Sequence, residues 1–173
     1  MQVVEYDRVK NLLYTVTRRY LNGIYRGTDV ELILEGMPLG GRKGERIAFR
    51  GVHREKPDGM LSRTFLARNF QGEDELDAIK NFIAQRIANR WLLSGEFREA
   101  WAGGILLTPT GLTTERGRFA GQVLPYTEIR RFAEDGDYLR VYHGDGNTDF
   151  TLANRRGANF WPGLQLIRML QAQ

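Results

Sequence analysis

Arg18, Arg19 and Arg26 flank the dipeptide Asn22-Gly23. Guanidinium groups gathered at a hairpin tip can clamp a phosphate or carboxylate through forked, charge-assisted hydrogen bonds. The competing reading is a solvated tip, where alternate strand positions face water. A second basic stretch runs from Arg42 to Arg68. There Arg42, Lys43, Arg46, Arg50, Arg54, Lys56, Arg63 and Arg68 stand against Glu45, Glu55 and Asp58, eight charges against three. The formal net charge of the whole chain is +4, so the remainder is close to neutral. A localised positive field attracts nucleic acid, acidic lipid or an acidic protein. All but four of the 25 basic residues are arginine, so composition alone accounts for much of the cluster. Arg18, Arg19, Arg26, Arg42, Lys43 and Arg46 form the candidate anion-binding set.

Other chemistries find less to work with. The 173 residues include no cysteine, which excludes disulfides, thiolate zinc sites, iron–sulfur clusters and a cysteine nucleophile. His53 and His143 stand far apart without metal-ligand spacing. Either serves a hydrolase only if folding sets its ring beside an Asp or Glu. Asp145-Gly146-Asn147-Thr148-Asp149 begins like a calcium loop. Phe150, however, stands where that loop needs glycine, and Arg156 where it needs a bidentate glutamate. The segment from Gly36 to Gly44 is glycine-rich and basic but has no Gly-Lys-Ser/Thr. No Gly-Xaa-Ser-Xaa-Gly elbow occurs. The expectation is a protein without enzymatic role, metal or cofactor, with an unrecognised hydrolase as an alternative.

The elements that must position these residues switch twice from strand to helix grammar. Residues 3–9, 12–21, 28–35, 46–49 and 63–69 read as strands. Asn22-Gly23 is a hairpin turn and Pro57-Asp58-Gly59 another turn. From Glu73 to Leu93 the apolar positions Leu76, Ile79, Phe82, Ile83, Ile87, Trp91 and Leu92 recur at spacings of three and four, one helical face. Glu73, Asp74, Glu75 and Asp77 in the first turn, and Arg86 and Arg90 near the end, complement the helix dipole. Strands resume at 105–107, 112–114, 119–124, 127–133, 138–143 and 148–153, with Thr108-Pro109-Thr110-Gly111 a tight turn. A second helix is predicted over 158–171, with Pro162 tolerated in its first turn. Trp91, Trp101 and Trp161 lie on or beside helices and are assigned to core packing.

The two halves echo each other. Val4-Glu5-Tyr6-Asp7-Arg8-Val9 matches Leu124-Pro125-Tyr126-Thr127-Glu128-Ile129, with a tyrosine two residues after an apolar one and another apolar residue three later. Each match is followed by strands and then an amphipathic helix. The strands need a second layer over their apolar faces, and one helix closes the open corner. The expected class is α+β: two units, residues 1–96 and 102–173, each a small antiparallel sandwich or partly open barrel capped by a helix.

On those phrases, on Thr17 to Thr28, Gly111-Leu112 and the Asn159-Phe160 helix start, the chain resembles an uncharacterised bacterial family of tandem pleckstrin-homology-like (PH-like) domains. The resemblance implies a binding module and no chemistry. Lipid-binding PH domains collect phosphates on basic residues between their first two strands; here Thr108-Pro109-Thr110-Gly111 holds none. The first copy lacks counterparts of 105–107, 111–115 and 119–124, so a sheet edge near Val3–Val9 is expected to be exposed. An unknown protein partner, or a homodimer across that gap, follows from it, as does a start site placed too late. A rival reading is an anion-binding module for nucleic acid or acidic lipid using residues 42–68. Without a signal-like or membrane-spanning apolar run, a cytoplasmic protein is expected, peripheral to a membrane at most.

Overall fold

The computed structural model describes residues 4–38, 44–53, 71–95, 100–101, 104–135, 137–144 and 148–172. The protein is α+β; among the described residues there are two helices and separate small antiparallel sheets that close into no barrel. The chain divides into two compact units, Met1–Phe82 and Ile83–Gln173. The division falls inside the long helix α1 (Gln71–Ser94).

In the first unit a 3-10 turn, Tyr6–Arg8, leads into β1 (Val9–Leu21), β2 (Ile24–Gly36) and β3 (Arg46–His53), in sheet order β1-β2-β3. The strand expected at 3–9 is replaced by that turn. Its physical cause is the end of the ladder: Val9 is already opposite Gly36, the last residue of β2. The expected strand at 63–69 and the turn at 57–59 lie outside the described residues. Asn22 and Gly23 both take positive φ, 51° and 76°, as a two-residue hairpin turn of type I′ requires.

Because opposed residues share a face, the register sorts the sheet. Leu12, Tyr14, Leu32 and Leu34 lie on the buried face, and α1 packs there. Leu76 approaches Gly51, and the Lys80 ammonium sits 4.7 Å from the Tyr14 ring centre. Lys80 is buried; its charge is met by that ring and by Asp77 one turn back. On the opposite face Leu13, Ile33 and Ala48 lie in register between two ion pairs, Glu31 with Arg50 at 2.8 Å and Glu35 with Arg46 at 3.6 Å.

Helix α1 buries Leu76, Lys80, Ile83, Ala84, Ile87, Ala88 and Trp91, a stripe at spacings of three and four. Phe82 and Leu93 fall off that stripe and are exposed; Phe82 instead meets Tyr6 edge-on at 5.5 Å.

The second unit contains a four-stranded sheet, β4 (Ala100–Trp101), β5 (Ile105–Leu107), β6 (Gly111–Thr114) and β7 (Val123–Pro125), in order β4-β5-β6-β7. The expected strand at 119–124 shrinks to β7. Gly117 and Gly121 both have positive φ, and Ala120 makes only an isolated bridge to Thr114. A 3-10 turn, Tyr126–Glu128, then opens a three-stranded sheet of β8 (Ile129–Asp135), β9 (Tyr138–His143) and β10 (Thr148–Asn154), in order β10-β9-β8. Helix α2 (Phe160–Gln171) follows, entered through Asn159 in the left-handed region, with Pro162 in the first turn.

Trp101 is the keystone of this unit. Its indole stacks on Phe160 with ring centres 5.6 Å apart and donates Nε1–H to the Phe160 carbonyl at 2.8 Å. It lies so close to α2 that only glycine fits at position 163. The far end of α2 is tied down by Gln171, whose Nε2–H donates to the Tyr126 carbonyl at 3.2 Å.

The two 3-10 turns share their local construction. In each, the next residue (Val9 or Ile129) donates its N–H to the tyrosine carbonyl. In each, a register shift follows at once, between Val9 and Asn11 and between Ile129 and Arg131. Their surroundings differ. Tyr126 is buried and donates its hydroxyl to the Thr108 carbonyl at 2.6 Å, whereas Tyr6 is 54% exposed.

Candidate functional site

The candidate anion set does not assemble. Arg18, Arg19 and Arg26 stand near the β1–β2 turn, all exposed. Arg46 opens β3 opposite Glu35, at the other end of the sheet. The eight-residue offset from Glu35 to Gly27, opposite Arg19, is about 26 Å of strand. Arg42 and Lys43 lie outside the described residues, as does most of 42–68. The described members of that stretch, Arg46 and Arg50, are already ion-paired with Glu35 and Glu31. Arg19 is engaged by Asp29, which holds the guanidinium pKa above its ordinary value, chiefly through their hydrogen bond and then through charge attraction.

Around these pairs lies a depression of about 450 Å³, lined by Thr15, Thr17, Arg19, Asp29, Glu31 and Arg50. It is roomy, but its two arginines and two acids neutralise each other. Val30 and Val52 also line it, but it offers little surplus charge to a ligand.

His143 sits on β9 edge-on to Phe119 and Phe150 at 5.1 and 5.7 Å, the two phenyl rings stacking on each other at 5.3 Å. Its Nε2 is shielded from solvent and has no hydrogen-bond partner among the described residues. A catalytic imidazole needs a partner that orients it, and the two phenyl rings supply none. The His53 backbone pairs with Thr28 at the end of β3. Among the described residues no three His, Asp or Glu side chains gather in a metal-binding group.

A different place collects complementary chemistry. Between α2 and the β8–β9 hairpin runs a groove of about 210 Å³. Phe132 of β8, Leu139 of β9 and Phe160 and Leu164 of α2 line it; Trp161, Arg155 and Arg168 complete it. Trp161, Leu164 and Arg168 follow at three and four residues, so one face of α2 presents all three. Phe160, Leu139 and Leu164 are buried, while Trp161 and Phe132 are half-buried. The Arg155 guanidinium lies 5.9 Å from the Trp161 ring centre. In the adjoining turn Asp135 is engaged by Arg140 at 2.6 Å and Asp137 by Arg156 at 2.9 Å. The groove therefore joins an apolar floor to a cationic rim. Its volume is below the roughly 300–1,000 Å³ of small-molecule pockets and suits one or two side chains.

Sequence reasoning missed this groove because Trp161 reads as core packing, and Arg155 and Arg168 belong to no motif that brings them to it. The available signal was an aromatic and an arginine at i and i+7, flanking the apolar stripe.

No protein-family model, curated protein or solved structure matches this chain. No helix among the described residues is long and apolar enough to cross a membrane.

Proposed function

We propose that the protein is a non-enzymatic recognition module built of two PH-like units, and that the groove between α2 and β8–β9 holds a short acidic segment of a partner protein. The observation that carries this reading is the apolar floor under a rim formed by Arg155 and Arg168. An aromatic or aliphatic side chain fits the floor, and flanking carboxylates meet the guanidinium groups. Phe132 belongs to β8, an edge strand of its sheet, so an extended segment can also continue the ladder by strand addition. The PH-like assignment is supported by the recurring order of 3-10 turn, early register shift, three-stranded antiparallel sheet and helix.

Selection of displayed random peptides on the full-length chain tests the reading. Sequences with an apolar residue flanked by Asp or Glu are expected. Their affinity should drop about tenfold or more in Arg155→Glu/Arg168→Glu, because both rim charges then repel the ligand. Peptides that bind this variant as tightly as the native chain, or no enrichment at all, would refute it.

A second reading, self-association, is favoured by β1, a 13-residue strand at the edge of its sheet. Beside its start, Glu5, Tyr6 and Asp7 are exposed, while Val9 is buried and Val4 half-buried. Sedimentation that rises from monomer to dimer with concentration supports this reading; a constant monomer mass refutes it.

A further inference from the structure

The 3-10 turn Tyr6–Arg8 carries a ring that its unit does not bury. Tyr6 is 54% exposed and meets Phe82 edge-on at 5.5 Å. Phe82 is itself 47% exposed, so the two rings form one aromatic patch on the first unit. The matching turn of the second unit buries its tyrosine and spends the phenol on the Thr108 carbonyl at 2.6 Å. The turn geometry therefore does not require the ring to stand in water.

Glu5 and Asp7 flank Tyr6, and both are exposed. An apolar residue set directly between two acids occurs three times in the chain, at Tyr6, Val30 and Leu76. Val30 and Leu76 are buried, so Tyr6 is the one that such a pattern offers to a partner. This is the kind of ligand proposed above for the groove of the second unit. There Phe132, Leu164 and Trp161 supply an apolar bed for one ring, and Arg155 and Arg168 stand at its rim. Two carboxylates beside the ring match two guanidinium groups beside the bed.

We propose that the chain associates head to tail, with Tyr6 of one copy in the α2 groove of the next and Glu5 and Asp7 against Arg155 and Arg168. This contact rests on the groove reading above and names its occupant. Charge complementarity selects a second copy: both halves of the match are surfaces of the same chain. They are different surfaces, so each copy that gives its tyrosine still has a groove to fill, and growth runs to a ring or an open chain. Pairing of two β1 edges would instead stop at a dimer. A groove of about 210 Å³ holding one ring is small beside a standard interface, so association is weak and shows at high protein concentration.

Sedimentation of the full chain over a range of concentrations tests it, with a mass that rises past the dimer expected. Tyr6→Ser disables the donor and Arg155→Glu/Arg168→Glu disables the groove; each should weaken association about tenfold or more. Mixed in equal amounts, the two variants should form a one-to-one dimer and nothing larger, because one competent donor and one competent groove remain between them. Unchanged thermal unfolding confirms that the fold is kept. Glu5→Arg, at an exposed position, is a second donor variant and should weaken association about threefold or more at low salt. A constant monomer mass up to about 1 mM, the weak end of specific binding, overturns the proposal. Association that the donor and groove variants leave intact overturns it too, as does a mixture of the two that stays monomeric or grows beyond a dimer. Acidic peptides that bind the groove of a chain that stays monomeric would overturn head-to-tail association and leave the groove reading standing. Loss of both peptide binding and association would remove the two together.

Discussion

Gly163→Ala places a methyl group inside the Trp101 indole. A Cβ on residue 163 would lie 2.3 Å from Trp101 Cδ1, 2.5 Å from Nε1 and 2.9 Å from Cγ. Non-bonded carbons settle at roughly 3.5–4.0 Å, so the ring must retreat by more than about 1 Å. It has nowhere to go cheaply. Trp101 is 1% exposed, stacks on Phe160, and donates to the Phe160 carbonyl at 2.8 Å. Overpacking of this kind costs about 1–3 kcal/mol, and the strained indole hydrogen bond adds about 1 kcal/mol. Alanine returns roughly 1 kcal/mol of helix propensity. The net expectation is a loss of about 2 kcal/mol. For a unit of this size that is a fall in melting temperature of roughly 8–16 °C, read by calorimetry or near-ultraviolet circular dichroism. A double-mutant cycle isolates the cause. Trp101→Phe removes the five-membered ring that the new methyl would strike. Gly163→Ala should therefore cost at least about 1 kcal/mol less in the Trp101→Phe background than in the native one. A Gly163→Ala protein as stable as the native chain would refute this packing, and strict additivity in the cycle would refute its attribution to the indole.

Gly111→Ala meets backbone instead: its Cβ would lie 2.2 Å from the Leu124 carbonyl oxygen and 3.0 Å from Pro125 Cα. A loss of about 2–3 kcal/mol is expected in urea titration, and a loss below about 0.5 kcal/mol would show that β6 and β7 are less tightly joined. Tyr126→Phe leaves the Thr108 carbonyl without its 2.6 Å donor and should cost about 1–2 kcal/mol near neutral pH. Burial raises the Tyr126 pKa above its ordinary value, so the unfolded chain loses this proton first. The phenol's contribution is complete below about pH 10, the unfolded value, and is lost as pH rises through the folded value. The stability gap between native chain and variant should therefore narrow above pH 10; a gap that widens there would contradict the assigned environment.

What the sequence made legible was local. Asn22-Gly23 and Thr108 to Gly111 formed the turns their residue types demand, because their chemistry is complete within four residues. Helix α1 was legible from its period, but its buried stripe was not fully so. Lys80, Ala84 and Ala88 lie on it and Phe82 does not: period fixes an angle, and a hydropathy reading favours the large apolar residue beside the stripe over the small or amphipathic one on it. β4 was missed because its two residues are too few for any alternation to show. The groove depends on what lies opposite what, and no local pattern reports that.

The two tyrosine turns show how far local encoding reaches. Tyr6–Arg8 and Tyr126–Glu128 adopt the same 3-10 geometry with the same closing hydrogen bond, although one tyrosine is exposed and the other buried. Cover by other strands therefore cannot be what bends the chain there. The shared cause is the apolar residue that follows, Val9 or Ile129. Both are buried at the start of a long strand, and the register shift right after each lets that strand rejoin its ladder with the apolar residue still facing inward. The tyrosine is then free to vary in role. In the second unit it closes a hydrogen bond to the β5–β6 turn. In the first it leans on Phe82 and leaves half its surface in water. A device that survives this change of surroundings belongs to the backbone pattern and not to the contacts of the tyrosine ring.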